Sequence, residues 1–248
     1  MSNIDINCDM GEGAGNDERI MPFISSANIA CGYHAGDEKS IWKCIELALQ
    51  YKVTIGAHVS FLDKENFGRK EMSLPTAMVY ELVTQQLVIM FELATGLDTH
   101  IHHVKPHGAL YNMAAKDPAL ASAVATAVKD FDPTLLFYGL SGSSLVEEGK
   151  KLGLRTVSEV FADRSYQDDG TLTPRSLPRA MIESDDDSLK QVLQMVRERT
   201  VTTLSGKQLP IIAETICVHG DGKDPVAFSK KINEGLKLNG FTIAPPAK

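Results

Sequence analysis

The chain has 248 residues, with 25 Lys and Arg against 32 Asp and Glu, and a formal net charge of −7. Hydrophobic residues make up 43% and charged residues 23%, an ordinary globular balance that argues against intrinsic disorder. The acidic balance disfavours nucleic-acid and anionic-membrane binding, because both need a basic surface. No apolar run approaches the roughly 20 residues of a transmembrane helix, and the first residues lack a secretory signal. We therefore expect a cytoplasmic protein that binds neither nucleic acid nor membrane.

The cysteine pattern also favours the cytoplasm. The four cysteines are Cys8, Cys31, Cys44 and Cys217, and no two of them form a C-x-x-C pair. This spacing disfavours a structural zinc ribbon, and so few cysteines in so long a chain do not suggest a disulfide scaffold. We expect reduced thiols.

Short apolar runs alternate with helical patterns along the chain. The predicted strands are 4–8, 27–31, 53–57, 100–104, 134–138, 156–160, and 210–213 continuing to 216–218. The predicted helices are 40–50, a long helix from Pro75 through Met90, helices within 109–129, 144–152, helices within 175–200, and 225–238. This alternation is typical of βαβ units and a parallel sheet. About seven units predict a (β/α) barrel in one domain, residues 1–248, with a doubly wound open sheet as the alternative.

Polar residues fall where the predicted strands end. They are Asp9, His34, His58, Lys105, His107, Glu159, Asp163, Arg164, His219 and Asp221. In barrel enzymes the carboxyl ends of the strands and the following loops build the active site. We therefore expect these side chains to converge on one rim.

The histidines allow a metal site without requiring one. Imidazole and carboxylate suit zinc or manganese, so one divalent ion can be held by a subset of Asp9, His34, His58, His107 and His219. However, there is no H-x-x-x-H or H-E-x-x-H spacing, and a lone histidine is more often structural. In the His100, His102 and His103 group, strand alternation places His103 opposite the other two.

Lys105 is the strongest single candidate. Pro106 follows it directly after a strand and fixes the backbone, which aims a cation at the rim. Such a lysine can bind phosphate or stabilise an oxyanion, or instead form a salt bridge to Glu159 or Asp163. The P-loop, G-x-G-x-x-G and G-x-S-x-G patterns are absent from the sequence.

Five strings in this sequence resemble those of a known family. They are Asn-Cys-Asp-Met-Gly-Glu-Gly at 7–13, Ser-Ala-Asn-Ile-Ala-Cys-Gly-Tyr-His-Ala-Gly-Asp at 26–37, Val-Lys-Pro-His-Gly-Ala-Leu-Tyr-Asn at 104–112, Glu-Val-Phe-Ala-Asp-Arg at 159–164 and Cys-Val-His-Gly-Asp at 217–221. Together they resemble the LamB/YcsF family over nearly the whole chain. The resemblance implies a seven-stranded (β/α) barrel variant related to the glycoside hydrolase and deacetylase type. It also implies ATP-dependent opening of 5-oxoproline to L-glutamate, together with two further 5-oxoprolinase subunits, B and C.

The chain departs from the family pattern at two places. After His58 the family usually has Pro-Ser-Tyr-Pro-Asp, where this chain has Val59-Ser60-Phe61-Leu62-Asp63 and loses both prolines. Arg179 stands where a glycine is usual. These changes affect loop shape and leave the polar rim intact.

With this chemistry in view, each rim residue receives an expected role. We expect Lys105 and Arg164 to neutralise phosphate or oxyanion charge. Asp9 or Glu159 would act as general base toward water, and His58 or His107 as proton donor to the departing nitrogen. The residues expected to bind substrate or phosphate are Asn7, Glu12, Asn28, His34, Asp163, His219 and Asp221.

Two other functions fit the same residues. A metal-dependent amide or sugar deacetylase would share the barrel and the rim, and would hydrolyse its substrate without ATP. A non-catalytic subunit that carries the lactam to partner proteins would bind it without any dependence on nucleotide.

Overall fold

Seven parallel strands close into a barrel. The computed structural model describes residues 2–220 and 224–248. The barrel strands are β1 (Ser2–Met10), β2 (Ser26–Ala30), β3 (Thr54–Val59), β4 (His103–Pro106), β5 (Leu136–Leu140), β6 (Thr156–Phe161) and β9 (Thr215–Val218). They pair in the order β1-β2-β3-β4-β5-β6-β9, and β9 pairs with β1 to complete the circle. The expected barrel is confirmed, and the open sheet is wrong.

Helices cover the outside of the barrel between successive strands. They are α1 (Asp17–Ile20), α2 (Glu38–Tyr51), α3 (Thr76–Gly96), α4 (Gly108–Ala114), α5 (Pro118–Phe131), α6 (Ser144–Lys151), α7 (Asp185–Arg197) and α8 (Pro225–Leu238). Local sequence sets their starts. Asp37 and Ser40 form a reciprocal capping box at α2, and the Asp117 carboxylate caps α5 just before Pro118.

Helix α3 is more apolar than the sequence analysis anticipated. Among the described residues it is the one helix long and apolar enough, by length and composition, to cross a membrane. Core helices pass the same test, and α3 packs against α2, α5 and strand β3.

The largest departures from the predicted elements lie between β6 and β9. The predicted helices within 175–200 reduce to α7, because residues 175–184 run as a loop that pairs back through the Arg164 and Met181 bridge. Two short strands, β7 (Thr200–Thr202) and β8 (Gln208–Pro210), form an antiparallel hairpin that was not predicted. Strand β10 (Phe241–Ile243), also unpredicted, pairs with the start of β1 outside the barrel. Strands of three residues carry too little periodicity to be recognised.

The two departures from the family pattern have simple structural outcomes. Val59 is buried at the end of β3, whereas Leu62 is 61% exposed. Arg179 has a φ of 61°, in the left-handed region that favours glycine, which explains why a glycine is usual there.

The interior of the barrel is polar, while the space between strands and helices is apolar. Along β1, Ile4, Ile6 and Cys8 pack in the outer apolar core, and the alternate residues Asp5 and Asn7 face the barrel interior. The Asp5 carboxylate accepts hydrogen bonds from four hydroxyl groups, those of Ser25, Ser26, Tyr138 and Thr215. Its burial raises the pKa of Asp5 in spite of these bonds. The sequence analysis missed this buried carboxyl.

Above Asp5, His103 occupies space that a glycine provides. Gly56 lies beside His103 in the paired strands, and a Cβ atom on Gly56 would lie 2.1 Å from His103 Nε2. This nitrogen donates to Asn28 Oδ1 at 2.8 Å, while His103 Nδ1 is buried without a partner among the described residues. Burial therefore holds the pKa of His103 well below its ordinary value of 6.5.

Because His103 is neutral in the folded protein, we expect the free energy of unfolding to fall in acid. Below about pH 6.5 the unfolded chain binds a proton at this position that the folded chain does not, so stability falls as the pH falls. Each such proton removes up to about 1.4 kcal/mol per pH unit. Urea unfolding between pH 7 and pH 5 measures how the free energy of unfolding changes with pH. We expect His103→Gln to reduce this pH dependence by about one proton. His100→Gln, at an exposed residue, should leave it unchanged. An unaltered slope in His103→Gln would contradict the assignment.

Candidate active site

A cavity of about 490 Å³ opens at the carboxyl end of the barrel strands. Seven of the predicted site residues line it: Asp9, Glu12, His58, Lys105, His107, Arg164 and His219. Four others contact these residues from below or beside the cavity, namely Asn7, Asn28, His34 and Glu159. Asp163 contacts His219, and Asp221 lies outside the described residues. The predicted residues therefore converge as expected.

The Lys105 ammonium lies at the floor of this cavity between two carboxylates. Its Nζ is 2.9 Å from Asp9 Oδ1 and 2.8 Å from Glu159 Oε1. It also contacts Asn7 Oδ1 at 3.1 Å and Cys217 Sγ at 3.2 Å. The salt bridge expected to Glu159 is present, but the second carboxylate is Asp9 and not Asp163.

Burial and charge act in opposite directions on Lys105. The residue is 2% exposed, and burial alone would lower its pKa. The charges of Asp9 and Glu159 outweigh this effect and raise the pKa of Lys105 well above its ordinary range. For Asp9, burial is outweighed by the positive fields of His58 and Lys105, so its pKa lies well below the ordinary range. The site therefore holds a permanent buried ion pair at neutral pH.

Both carboxylate oxygens of Glu159 have partners within the site, and one of them contacts Lys105. Its Oε1 also accepts from Asn7 Nδ2 at 2.9 Å, and its Oε2 accepts from the Tyr111 hydroxyl at 2.6 Å. The carboxylate is completely buried. Tyr111 was not among the predicted site residues. The signal was available, because Tyr111 follows the strand that carries Lys105 within the same family-like string.

Two backbone carbonyls fix the protons of the histidines above Lys105. His58 Nδ1 donates to the carbonyl of Lys105 at 3.0 Å, and His107 Nε2 donates to the carbonyl of Phe67 at 2.9 Å. When both rings are neutral, their remaining nitrogens, His58 Nε2 and His107 Nδ1, carry lone pairs and face each other at 2.9 Å. This arrangement requires a positive charge between them, either a shared proton or a metal cation.

Other ligand atoms surround the same point. Glu12 Oε1 lies 3.0 Å from His34 Nε2, 3.3 Å from His107 Nδ1 and 3.8 Å from His58 Nε2. The His34 ring stacks on His107 at 3.8 Å, and burial followed by the nearby His58 lowers the pKa of His34 to about 3. Glu12, His34, His58 and His107 offer ligand atoms within 4.8 Å of one another.

This donor set suits a divalent cation. Neutral imidazoles and a carboxylate are the ligands of zinc and related metals, and each donation from His58 and His107 to a carbonyl resembles the support that metal-bound histidines receive. Glu12 was expected only to bind substrate or phosphate. His219, which was expected as a possible ligand, instead groups with Asp9 and Cys217.

His219 and Asp163 form a separate pair on the cavity wall. His219 Nδ1 lies 2.7 Å from Asp163 Oδ2, and its ring stacks on Phe161. Burial opposes protonation, but the Asp163 carboxylate outweighs burial and raises the pKa of His219 above 6.5. The Asp163 carboxylate therefore favours the protonated form of His219.

Removing Lys105 should destabilise the barrel strongly, because two buried carboxylates would lose their counter-charge. We expect Lys105→Met to lower the free energy of unfolding by about 3–5 kcal/mol. The double variant Lys105→Met/Glu159→Gln removes one of the two charges and should recover part of the loss. Urea unfolding of both variants at pH 7 measures the difference, and a double variant less stable than the single one would contradict the pairing.

Comparisons with known proteins agree with this architecture. The LamB/YcsF family profile matches residues 4–248. A protein of Shouchella clausii, named as the A subunit of 5-oxoprolinase, is 50% identical over 98% of each chain. One of Geobacillus kaustophilus with the same name is 48% identical over 100% of this chain and 98% of its own.

Solved structures give the same result. The lactam utilization protein from Thermus thermophilus superposes with a TM-score of 0.92 at 37% identity, over 98% of this chain and all of that one. A family 4 carbohydrate esterase from Streptomyces lividans shares the fold alone, with a TM-score of 0.51 at 12% identity over 99% of this chain and 98% of that one. From the profile match and the relatives near 50% identity, this chain belongs to the LamB/YcsF family.

Proposed function

We propose that this chain is the A subunit of a 5-oxoprolinase, which opens the lactam of 5-oxoproline to L-glutamate with ATP and two partner subunits, B and C. The name carried by the relatives at 48–50% identity supports this assignment. The observation that carries it is the buried Lys105 ammonium at the floor of the cavity, which suits a reaction that builds negative charge on an oxygen. We also propose that residues 1–248 act as one domain, and that the protein works in the cytoplasm, where ATP is available.

The reaction needs ATP because the five-membered lactam is an unstrained amide. In our proposal, the amide oxygen attacks the γ-phosphorus of ATP and ADP leaves. Water then adds to the activated carbon, the ring nitrogen takes a proton and the C–N bond breaks, which gives an acyl phosphate. A second water releases inorganic phosphate. The sum is 5-oxoproline, ATP and two waters giving L-glutamate, ADP and phosphate.

We propose Asp9, rather than Glu159, as the carboxylate that acts on the attacking water. Both oxygens of Glu159 are occupied by Lys105, Asn7 and Tyr111, so Glu159 is a positioning residue for the lysine. Asp9 lines the cavity, and its Oδ2 faces His58 at 3.3 Å. We assign Asp9 to orient the attacking water through Oδ2, and the Lys105 charge to stabilise negative charge on the amide oxygen through its electrostatic field.

The proton donor in this proposal is His219 and not His58 or His107. Burial followed by the charge of His58 holds the pKa of His107 well below 6.5, so His107 is a poor donor at neutral pH. His58 Nε2 lies 2.9 Å from His107 Nδ1, within the candidate metal cluster. His219, with its pKa raised by Asp163, can deliver a proton to the departing nitrogen.

Glu12, His34, His58 and His107 would hold a divalent metal ion, whose chemistry is to polarise a carbonyl or lower the pKa of a bound water. A metal-dependent amide or sugar deacetylase, the alternative function, would use the same four residues. The two functions differ in their need for ATP, since a deacetylase hydrolyses its substrate without it.

The histidine cluster predicts metal binding by the isolated chain. After chelator treatment and dialysis, titration with zinc should show one equivalent bound, and His107→Gln should weaken the affinity at least about 10-fold. His100→Gln, which changes an exposed histidine, is the matched control. Equal affinity in His107→Gln and the control would place any bound metal elsewhere.

Glutamate release tests the function itself. The chain, the candidate B and C subunits, ATP and 5-oxoproline together should release glutamate, and omission of any one component should abolish it. Asp9→Asn should lower kcat at least about 100-fold, because the attacking water loses the carboxylate that orients it, while the protein remains folded. Release without ATP would favour the deacetylase type of hydrolysis. Full release without this chain would contradict the proposal.

A further inference from the structure

One wall of the cavity carries a buried arginine without an anionic partner. Arg164 lines the cavity and is buried. Its Nη2 donates to the carbonyl of Thr173 at 2.6 Å, and its Nε donates to that of Ala180 at 3.4 Å. Both acceptors are neutral. Within residues 2–220 and 224–248, no carboxylate pairs with the Arg164 guanidinium, since that of Asp163 is bound to His219.

A second cation lies near Arg164. Arg175 also lines the cavity, from the exposed loop that follows Arg164. Burial, and then the like charge of Arg175, lower the pKa of Arg164 to about 10. The desolvated Arg164 guanidinium, bound only by neutral carbonyls, is stabilised when an anion enters the cavity beside it.

The rest of the cavity is suited to a small ring. Leu140, Phe161 and Leu172 supply an apolar wall beside the arginines. The Phe161 ring lies 5.6 Å from Lys105 Nζ and stacks on His219. A ligand in this space can contact Arg164 and Arg175 as well as the Asp9 and Lys105 pair, since all four line the cavity.

We propose that Arg164, assisted by Arg175, binds the carboxylate of the lactam substrate and so selects 5-oxoproline over lactams that lack this group. This inference rests on the proposed function. A planar guanidinium matches a carboxylate through two parallel hydrogen bonds, which fixes the ring in one orientation. The lactam amide then faces Lys105, and the carboxylate faces away from the two acidic groups at the floor. Arg164 therefore acts as a specificity residue for the substrate rather than as a phosphate ligand.

Kinetics of the assembled A, B and C subunits with two arginine variants test this role. Arg175→Gln changes an exposed side chain, and Arg164→Lys keeps the charge but loses the planar fork. Each should raise the KM for 5-oxoproline at least about 10-fold, because a charged hydrogen bond is lost. The KM for ATP should stay unchanged, and the preference for 5-oxoproline over 2-pyrrolidinone should fall by a similar factor. Arg179→Gln, with the same charge change in the same loop, should leave all three values unchanged.

The possible results distinguish a failure of this inference from a failure of the proposed function. If the unaltered complex releases no glutamate, the proposed function and this inference both fail. If it is active but both variants keep the KM for 5-oxoproline, only the carboxylate site is wrong. A rise in the KM for ATP instead would show that the arginines bind phosphate. If Arg164→Lys proves unfolded by thermal melting, Arg175→Gln alone decides the question.

Discussion

The buried ion pair of Lys105 with Asp9 and Glu159 is the interaction on which the site depends. These three residues come from β4, β1 and β6, which are far apart in the chain, so they meet only when the barrel closes. Closure occurs where β1 pairs with β9, and this pairing also sets Asn7 opposite Cys217, both of which contact the lysine. An ammonium buried between two carboxylates must be held tightly, because loss of either sign leaves an uncompensated charge. The requirement for charge balance thus makes the floor of the cavity rigid.

Hydrogen bonds in the barrel interior connect the Lys105 ion pair to residues above and below it. Below the lysine, Asn28 links Asn7 and Asp9 to His103, and the hydroxyl groups around Asp5 fill the next layer. Above it, the carbonyl of Lys105 itself orients His58, so the strand that supplies the cation also fixes the histidine cluster. A chain of hydrogen bonds therefore connects the barrel closure to the groups that face the cavity. Such a connected network favours one arrangement of side chains over alternatives.

Much of this could be predicted from the sequence because the fold places strand ends together. The alternation of strands and helices predicted the barrel, and the polar residues after each strand predicted a common rim, which the structure confirms for Asp9, His58, Lys105, His107 and His219. The partners could not be predicted, because pairing across the barrel depends on register and depth. Asp163 was therefore considered as a partner for Lys105, and the role of Tyr111 was missed. Asp5 was overlooked because strand periodicity predicts on which face of the sheet a residue lies. It does not predict that the face inside the barrel is polar. The loop of 175–184 was mistaken for a helix because its backbone pairs with distant residues that a local pattern does not contain.

The protonation state of Lys105 is the most direct measure of the buried ion pair. The ¹⁵N resonance of its Nζ, assigned by its loss in Lys105→Arg, can be followed as the pH is raised. The account predicts an ammonium signal that persists above pH 10.5, the ordinary pKa of a lysine, because Asp9 and Glu159 hold the proton in place. A lysine that loses its proton below pH 9 would show that burial outweighs the two carboxylates, and that no stable cation lies at the floor of the cavity.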